Sequence, residues 1–120
     1  SDVQVVLLDG TWSAATRLSQ TVSTWGRTVR LPMSGPSRYW LRKKQGVESY
    51  STIEALLFLL SALGLRDEER RMRLQFELHV YAGLRSRGNM PIAEEFLATS
   101  PLPEAVPELV AQMQERRPLV

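Results

Sequence analysis

Apolar positions along this chain change period several times, and the changes divide it into elements. Val3 to Leu8 reads Val-Gln-Val-Val-Leu-Leu, short, β-branched and nearly continuous, and it stops at Asp9-Gly10. That pattern predicts a buried strand of the kind found inside parallel sheets. From Trp12 to about Val22, Ala14, Ala15 and Leu18 recur at helical spacing, and Thr11 suits the N-cap. Thr28 to Leu31 reads as a second strand, closed by Pro32. Strand, helix and strand make one βαβ unit, whose crossover is expected to be right-handed.

Residues 33–50 form the longest irregular stretch, with Gly35, Pro36, Gly46 and the aromatic pair Tyr39-Trp40. Tyr39 to Leu41 suits a short strand within it. A loop of more than about 12 to 15 residues in a compact domain is usually functional or disordered. Ser51 then opens a helix to about Leu63, apolar nearly all round and therefore expected to be buried on most sides. Gly64 suits its C-terminal end. A longer helix is predicted from Asp67 to about Arg87, with Met72, Phe76, Val80 and Leu84 as its core face and Gly88-Asn89 ending it. Ile92 to Ala98 suits a short helical turn. Ser100-Pro101-Leu102-Pro103 breaks the chain, and Glu104 to Arg116 reads as a last helix with Pro107 in its first turn. The whole reads as an α/β domain, a parallel sheet flanked by helices.

Composition narrows the function classes. A chain of 120 residues, 43% hydrophobic, fits one globular domain with a real core. It has no cysteine, which excludes disulfides and Cys-ligated zinc and suits a cytoplasmic protein. The first residues lack a signal-peptide pattern. The longest apolar run, Ala55 to Leu60, is far short of the roughly 20 residues a membrane span needs. Formal net charge is +2, unevenly placed: residues 1–50 hold seven Arg or Lys against three Asp or Glu, and residues 51–120 hold eight against ten. The tightest basic group is Arg38, Arg42, Lys43 and Lys44. Such a group suits a polyanion, although most charge clusters are solvated surface.

Most catalytic kits are absent. The lone histidine, His79, lies mid-helix, where a structural role is the usual one. There is no nucleophile elbow, no GxGxxG and no P-loop. What remains is the turn at Asp9, Gly10 and Thr11, at the carboxyl end of the first predicted strand, where open α/β sheets bind ligands. Gly10 admits close backbone approach. Asp9 suits a base or a polar substrate contact, and Trp12 offers a stacking surface. A plain alternative stands beside this one: Asp9 caps a helix and Trp12 packs in the core. Ser51 and Glu54 likewise have the spacing of a capping box, which leaves first-turn amides and Thr52 open for a ligand.

Together these segments resemble the DTW family, named for an Asp-x-Thr-Trp motif. Asp9, Thr11 and Trp12 match it, after the apolar run Val5-Val6-Leu7-Leu8. The likeness continues through Leu31-Pro32, through Ser37-Arg38-Tyr39-Trp40-Leu41-Arg42, where the family shows Ser-x-Tyr-x-Leu-Arg, and through Ser51-Thr52-Ile53-Glu54-Ala55. The order and spacing of the four pieces agree over about 50 residues. The helices after Ala55 carry no diagnostic motif.

The resemblance implies a SPOUT-like α/β fold with a C-terminal trefoil knot. It also implies transfer of the 3-amino-3-carboxypropyl group of S-adenosylmethionine to a uridine of tRNA. On that reading Asp9, Thr11 and Trp12 are the catalytic group. Leu31, Pro32, Ser37, Leu41, Arg42, Ser51, Thr52 and Glu54 line the cofactor, and Arg38, Tyr39, Trp40, Lys43 and Lys44 meet RNA. Simple core packing is an equal alternative for Tyr39 and Trp40. Typical members begin with a cysteine cluster and a further half-domain, so residues 1–120 are expected to be a single DTW domain without the family's N-terminal half. Two other functions stay open: a SPOUT-type RNA methyltransferase and a non-catalytic RNA-binding fragment. Neither a membrane nor a metal is expected as a partner of this chain.

Overall fold

A computed structural model describes residues 4–7, 17, 20–22, 24–27, 33–41 and 51–115. Helix accounts for 67% of them, and none lies in a strand. Five helices follow one another from residue 52: α1 (Thr52–Ala62), α2 (Arg66–Ser86), α3 (Met90–Ala98), α4 (Leu102–Ala105) and α5 (Pro107–Glu115). Arg17 and Gln20 to Val22 are also helical, within the first helix expected from the sequence.

The expected parallel sheet, and with it the SPOUT-like α/β architecture, is therefore corrected: the described fold is helical. Gln4 to Leu7, read as part of a buried strand, forms no ladder, and Val5 and Val6 are 51% and 58% exposed. A β-branched apolar run becomes a strand only when neighbouring strands pair its amides and carbonyls and cover both its faces. Among the described residues neither condition is met for this segment. Tyr39 to Leu41 forms no strand either. The second expected strand, from Thr28 to Leu31, lies outside the described residues.

The helices themselves follow from local chemistry. Ser51 caps α1: its hydroxyl accepts the Glu54 amide at 3.3 Å, while the Glu54 carboxylate accepts the Ser51 amide at 3.0 Å. This reciprocal box satisfies two amides that a bare helix end would leave open. Gly64 and Gly88, at φ 75° each, turn the chain out of α1 and α2. Beyond each, two amides reach back to the last turn: Gly64 to Ser61 and Leu65 to Leu60, Gly88 to Arg85 and Asn89 to Leu84. That Schellman pattern needs a left-handed residue, which glycine supplies without steric cost. Pro107 ends the expected final helix early and begins α5, since it offers no amide to a preceding carbonyl. The chain from 102 to 115 is thus two short helices, not one.

The core is Leu57, Phe76, Val80, Tyr81, Leu84, Ala93, Phe96, Leu97, Leu102 and Val110. α2 is its spine, packing on α1, α3 and α4. Arg85, 7% exposed, is held at the far end of α2 by the Gln114 carbonyl at 3.3 Å. α1 is less enclosed than its apolar sequence suggested. Only Glu54 and Leu57 are buried, and Ile53 is 39% exposed, because α2 covers one face of it.

Candidate functional site

Residues 33–41 carry no regular structure, yet 37–41 form a strap laid across the helices. Every residue of the strap is held by named partners. The Ser37 hydroxyl donates to Glu54 Oε1 at 2.7 Å, and the Arg38 amide to Glu54 Oε2 at 2.8 Å. The Tyr39 amide donates to Ser37 Oγ at 3.1 Å. The Tyr39 ring stacks on Phe76 with centroids 6.2 Å apart, and Trp40 meets Phe96 edge-on at 5.2 Å. Leu41 lies against Gly83, where an added Cβ would come within 2.6 Å of a Leu41 methyl carbon. The Leu41 carbonyl accepts Arg87 Nη1 at 2.6 Å.

Two buried carboxylates organise this arrangement. Glu54 is 5% exposed and accepts from four donors: Ser37 Oγ, the Arg38 amide, the Ser51 amide and Ser51 Oγ. It joins the strap to the N-terminal end of α1. Glu77 is 2% exposed and takes the Arg38 guanidinium in a fork, Nε to Oε2 at 3.1 Å and Nη2 to Oε1 at 2.8 Å. The same guanidinium donates to the Phe96 carbonyl at 3.0 Å and to Thr99 Oγ1 at 2.6 Å. It sits over the Phe96 ring, 3.9 Å from its centroid, and 5.2 Å from that of Trp40. A guanidinium has five N–H donors, and this geometry employs four. A planar fork on a carboxylate, at the carbonyl end of α3, is also where helix polarity favours a cation.

The structure thus brings together Ser37, Arg38, Tyr39, Trp40, Leu41, Ser51 and Glu54 from the residues singled out by sequence. It commits most of their polar atoms internally. Arg38, Tyr39 and Trp40, read as RNA contacts, are half-buried and face Glu77, Phe76 and Phe96. Ser37, Leu41, Ser51 and Glu54, read as cofactor contacts, make the strap and the cap. Thr52 is the exception: it is exposed, and neither its amide nor that of Ile53 has a hydrogen-bond partner among the described residues. Asp9, Thr11, Trp12, Leu31, Pro32, Arg42, Lys43 and Lys44 lie outside the described residues.

Sequence reasoning passed over Glu77, Gly83, Arg87, Phe96 as an acceptor, and Thr99. Glu77 had a signal. It stands beside Phe76 and one turn before Val80 and Tyr81, on the apolar arc of α2, where a carboxylate demands a partner. Gly83 had one too, since a mid-helix glycine costs about 1 kcal/mol and usually marks a close approach.

The DTW domain model matches residues 1–84, and the chain belongs to that family. The match takes in the strap, α1 and most of α2, while Phe96 and Thr99, which hold Arg38, lie beyond it. No curated protein and no solved structure matches the chain. Membership of the family is consistent with tRNA modification. No helix among the described residues is long and apolar enough to cross a membrane.

Proposed function

We propose that this chain carries out transfer of the 3-amino-3-carboxypropyl group of S-adenosylmethionine to a uridine of tRNA. The observation that carries the reading is the family match over residues 1–84, within which Glu54 ties two of the motif segments to each other. The donor set at the start of α1 fits such a cofactor in its chemistry. The amides of Thr52 and Ile53, unpartnered among the described residues, and the exposed Thr52 hydroxyl suit a carboxylate or a ribose hydroxyl. When bound, the cofactor supplies a sulfonium whose neighbouring carbons are electrophilic.

The chain's own residues then divide the remaining tasks. Thr52 and the first turn of α1 hold a polar group of the cofactor. Glu54, its oxygens already engaged by four donors, fixes that turn against the strap and touches no ligand. Arg38 and Glu77 hold the strap on α2. Asp9 takes the N3 proton of the uridine or orients its edge, Trp12 stacks on a base, and Arg42 meets a carboxylate or phosphate with its fork. Lys43 and Lys44 meet RNA phosphates. Choice among the carbons is a matter of positioning, which can contribute several kcal/mol to a barrier.

Mass spectrometry of bulk tRNA incubated with the protein and S-adenosylmethionine tests this. The reading expects nucleosides heavier by one aminocarboxypropyl group. A methyl group in its place would make the protein a methyltransferase, and unmodified tRNA would leave RNA binding alone.

A further inference from the structure

The N-terminal half of α2 is its less buried half, with Met72 and Leu74 packed partly buried against the core. Every buried residue of this helix lies at or after Phe76, so residues 66–75, about 15 Å of helix, contribute none. Phe76, Glu77, Val80, Tyr81, Leu84 and Arg85 define the buried arc of the later turns, about 180° wide with Glu77 and Leu84 near its middle. Continued toward the N-terminus, the same arc is occupied by Arg66, Arg70 and Arg73. At about 100° per residue these three fall within roughly 60° of one another and span about 10 Å of axis. Asp67 and Glu69 lie toward the two edges of that arc, and Glu68 faces the opposite side. The middle of the face that is core below is therefore arginine above.

Pairing accounts for only one member of this row. Arg73 is bridged to Glu69, Nε to Oε1 at 2.7 Å. Arg66 and Arg70 are exposed and have no hydrogen bond or ion pair among the described residues. Helix stability does not account for it either. Arg66 is the first residue of α2, where the helix dipole disfavours a cation by about 0.3–1 kcal/mol. The row also has a direction. Its next position is Glu77, which carries Arg38, so it leads to the strap and to the N-terminal end of α1 held by Glu54.

We infer that the arginine row of α2, Arg66, Arg70 and Arg73, is a surface for the phosphate backbone of RNA, guiding it toward the strap. This rests on the reading of the chain as acting on tRNA. Guanidinium forks suit phosphate oxygens, and all the cations of residues 66–75 are arginine. The surface takes a role first expected of Arg38, whose guanidinium is engaged by Glu77, Phe96 and Thr99.

The test is anisotropy titration of labelled tRNA with the full chain, from about 50 to 200 mM salt, for wild type, R66A/R70A, R66E/R70E and R71A. Arg71 is the control, 73% exposed and about 140° around the helix from Arg66. Two lost phosphate contacts should lower the slope of log affinity against log salt by about 1.4 to 1.8. R66E/R70E should bind at least about tenfold more weakly, R71A should match wild type, and all should melt alike. Unchanged slopes in both double variants, or no tRNA binding by wild type, would overturn the surface. Group transfer is read in parallel and separates the two claims. Transfer with unchanged slopes removes the surface and keeps the reaction; altered slopes without transfer do the reverse.

Discussion

Arg38 shows how far one residue's role depends on its partners. In sequence it is the first cation of a basic group; in the fold it is a rivet between α2 and α3, with its fork on a carboxylate 2% exposed. Removing one partner of a buried pair strands the other. Arg38→Ala should therefore cost about 3 kcal/mol in chemical denaturation. A loss under about 1 kcal/mol would mean that Glu77 finds other solvation. Tyr81 predicts the opposite sign. Its ring is fully buried, and its hydroxyl has no hydrogen-bond partner among the described residues. Tyr81→Phe removes an unmet polar group and should stabilise the protein by about 1 kcal/mol, since such groups cost about 1–3. A clear drop in melting temperature would reveal a partner for that hydroxyl. At this scale the Ser51–Glu54 box was legible because both halves lie within one turn. The Ser37, Arg38 and Glu77 bonds were not, because they join residues 17 and 39 positions apart.

Elements were legible where periodicity and punctuation agreed. α1 and α2 begin and end within a residue or two of the positions read from Ser51, Gly64 and Gly88. The glycines act through backbone conformation, so replacing either removes a left-handed residue and nothing else: no atom lies within 4 Å of a Cβ added at Gly64 or Gly88. Gly64→Ala and Gly88→Ala should each lower unfolding free energy by about 1 kcal/mol. Equal stability would show that these helix ends relax into another turn. α3 was underestimated as a single turn, and the final helix was overextended across Pro107. The strand at Val3 to Leu8 was the larger miss. Its residue types fit a strand, but a strand is a property of a sheet, and no neighbour in the described residues supplies one. Gly83 and Leu41 show the same limit at smaller scale, a contact between an element and a segment with no periodic signature.

At the scale of the whole molecule, the family was legible and the architecture was not. Four short ordered pieces sufficed for the first, because motif identity survives without knowledge of packing. The helical arrangement depends on Glu54 and Glu77 pulling 37–41 onto α1, α2 and α3, which no local pattern announces. The account therefore separates two kinds of motif residue. Those of the strap and cap build the scaffold, and the proposed function gives the chemistry to Asp9. The most direct test is the single-turnover rate of transfer to tRNA by Asp9→Asn, with melting temperature as control. Asn caps a helix about as well as Asp and is nearly isosteric with it. The account predicts an unchanged melting temperature and a rate lowered about 100- to 10,000-fold, the usual loss for a general base. A wild-type rate in this variant would contradict it and remove Asp9 from the chemistry.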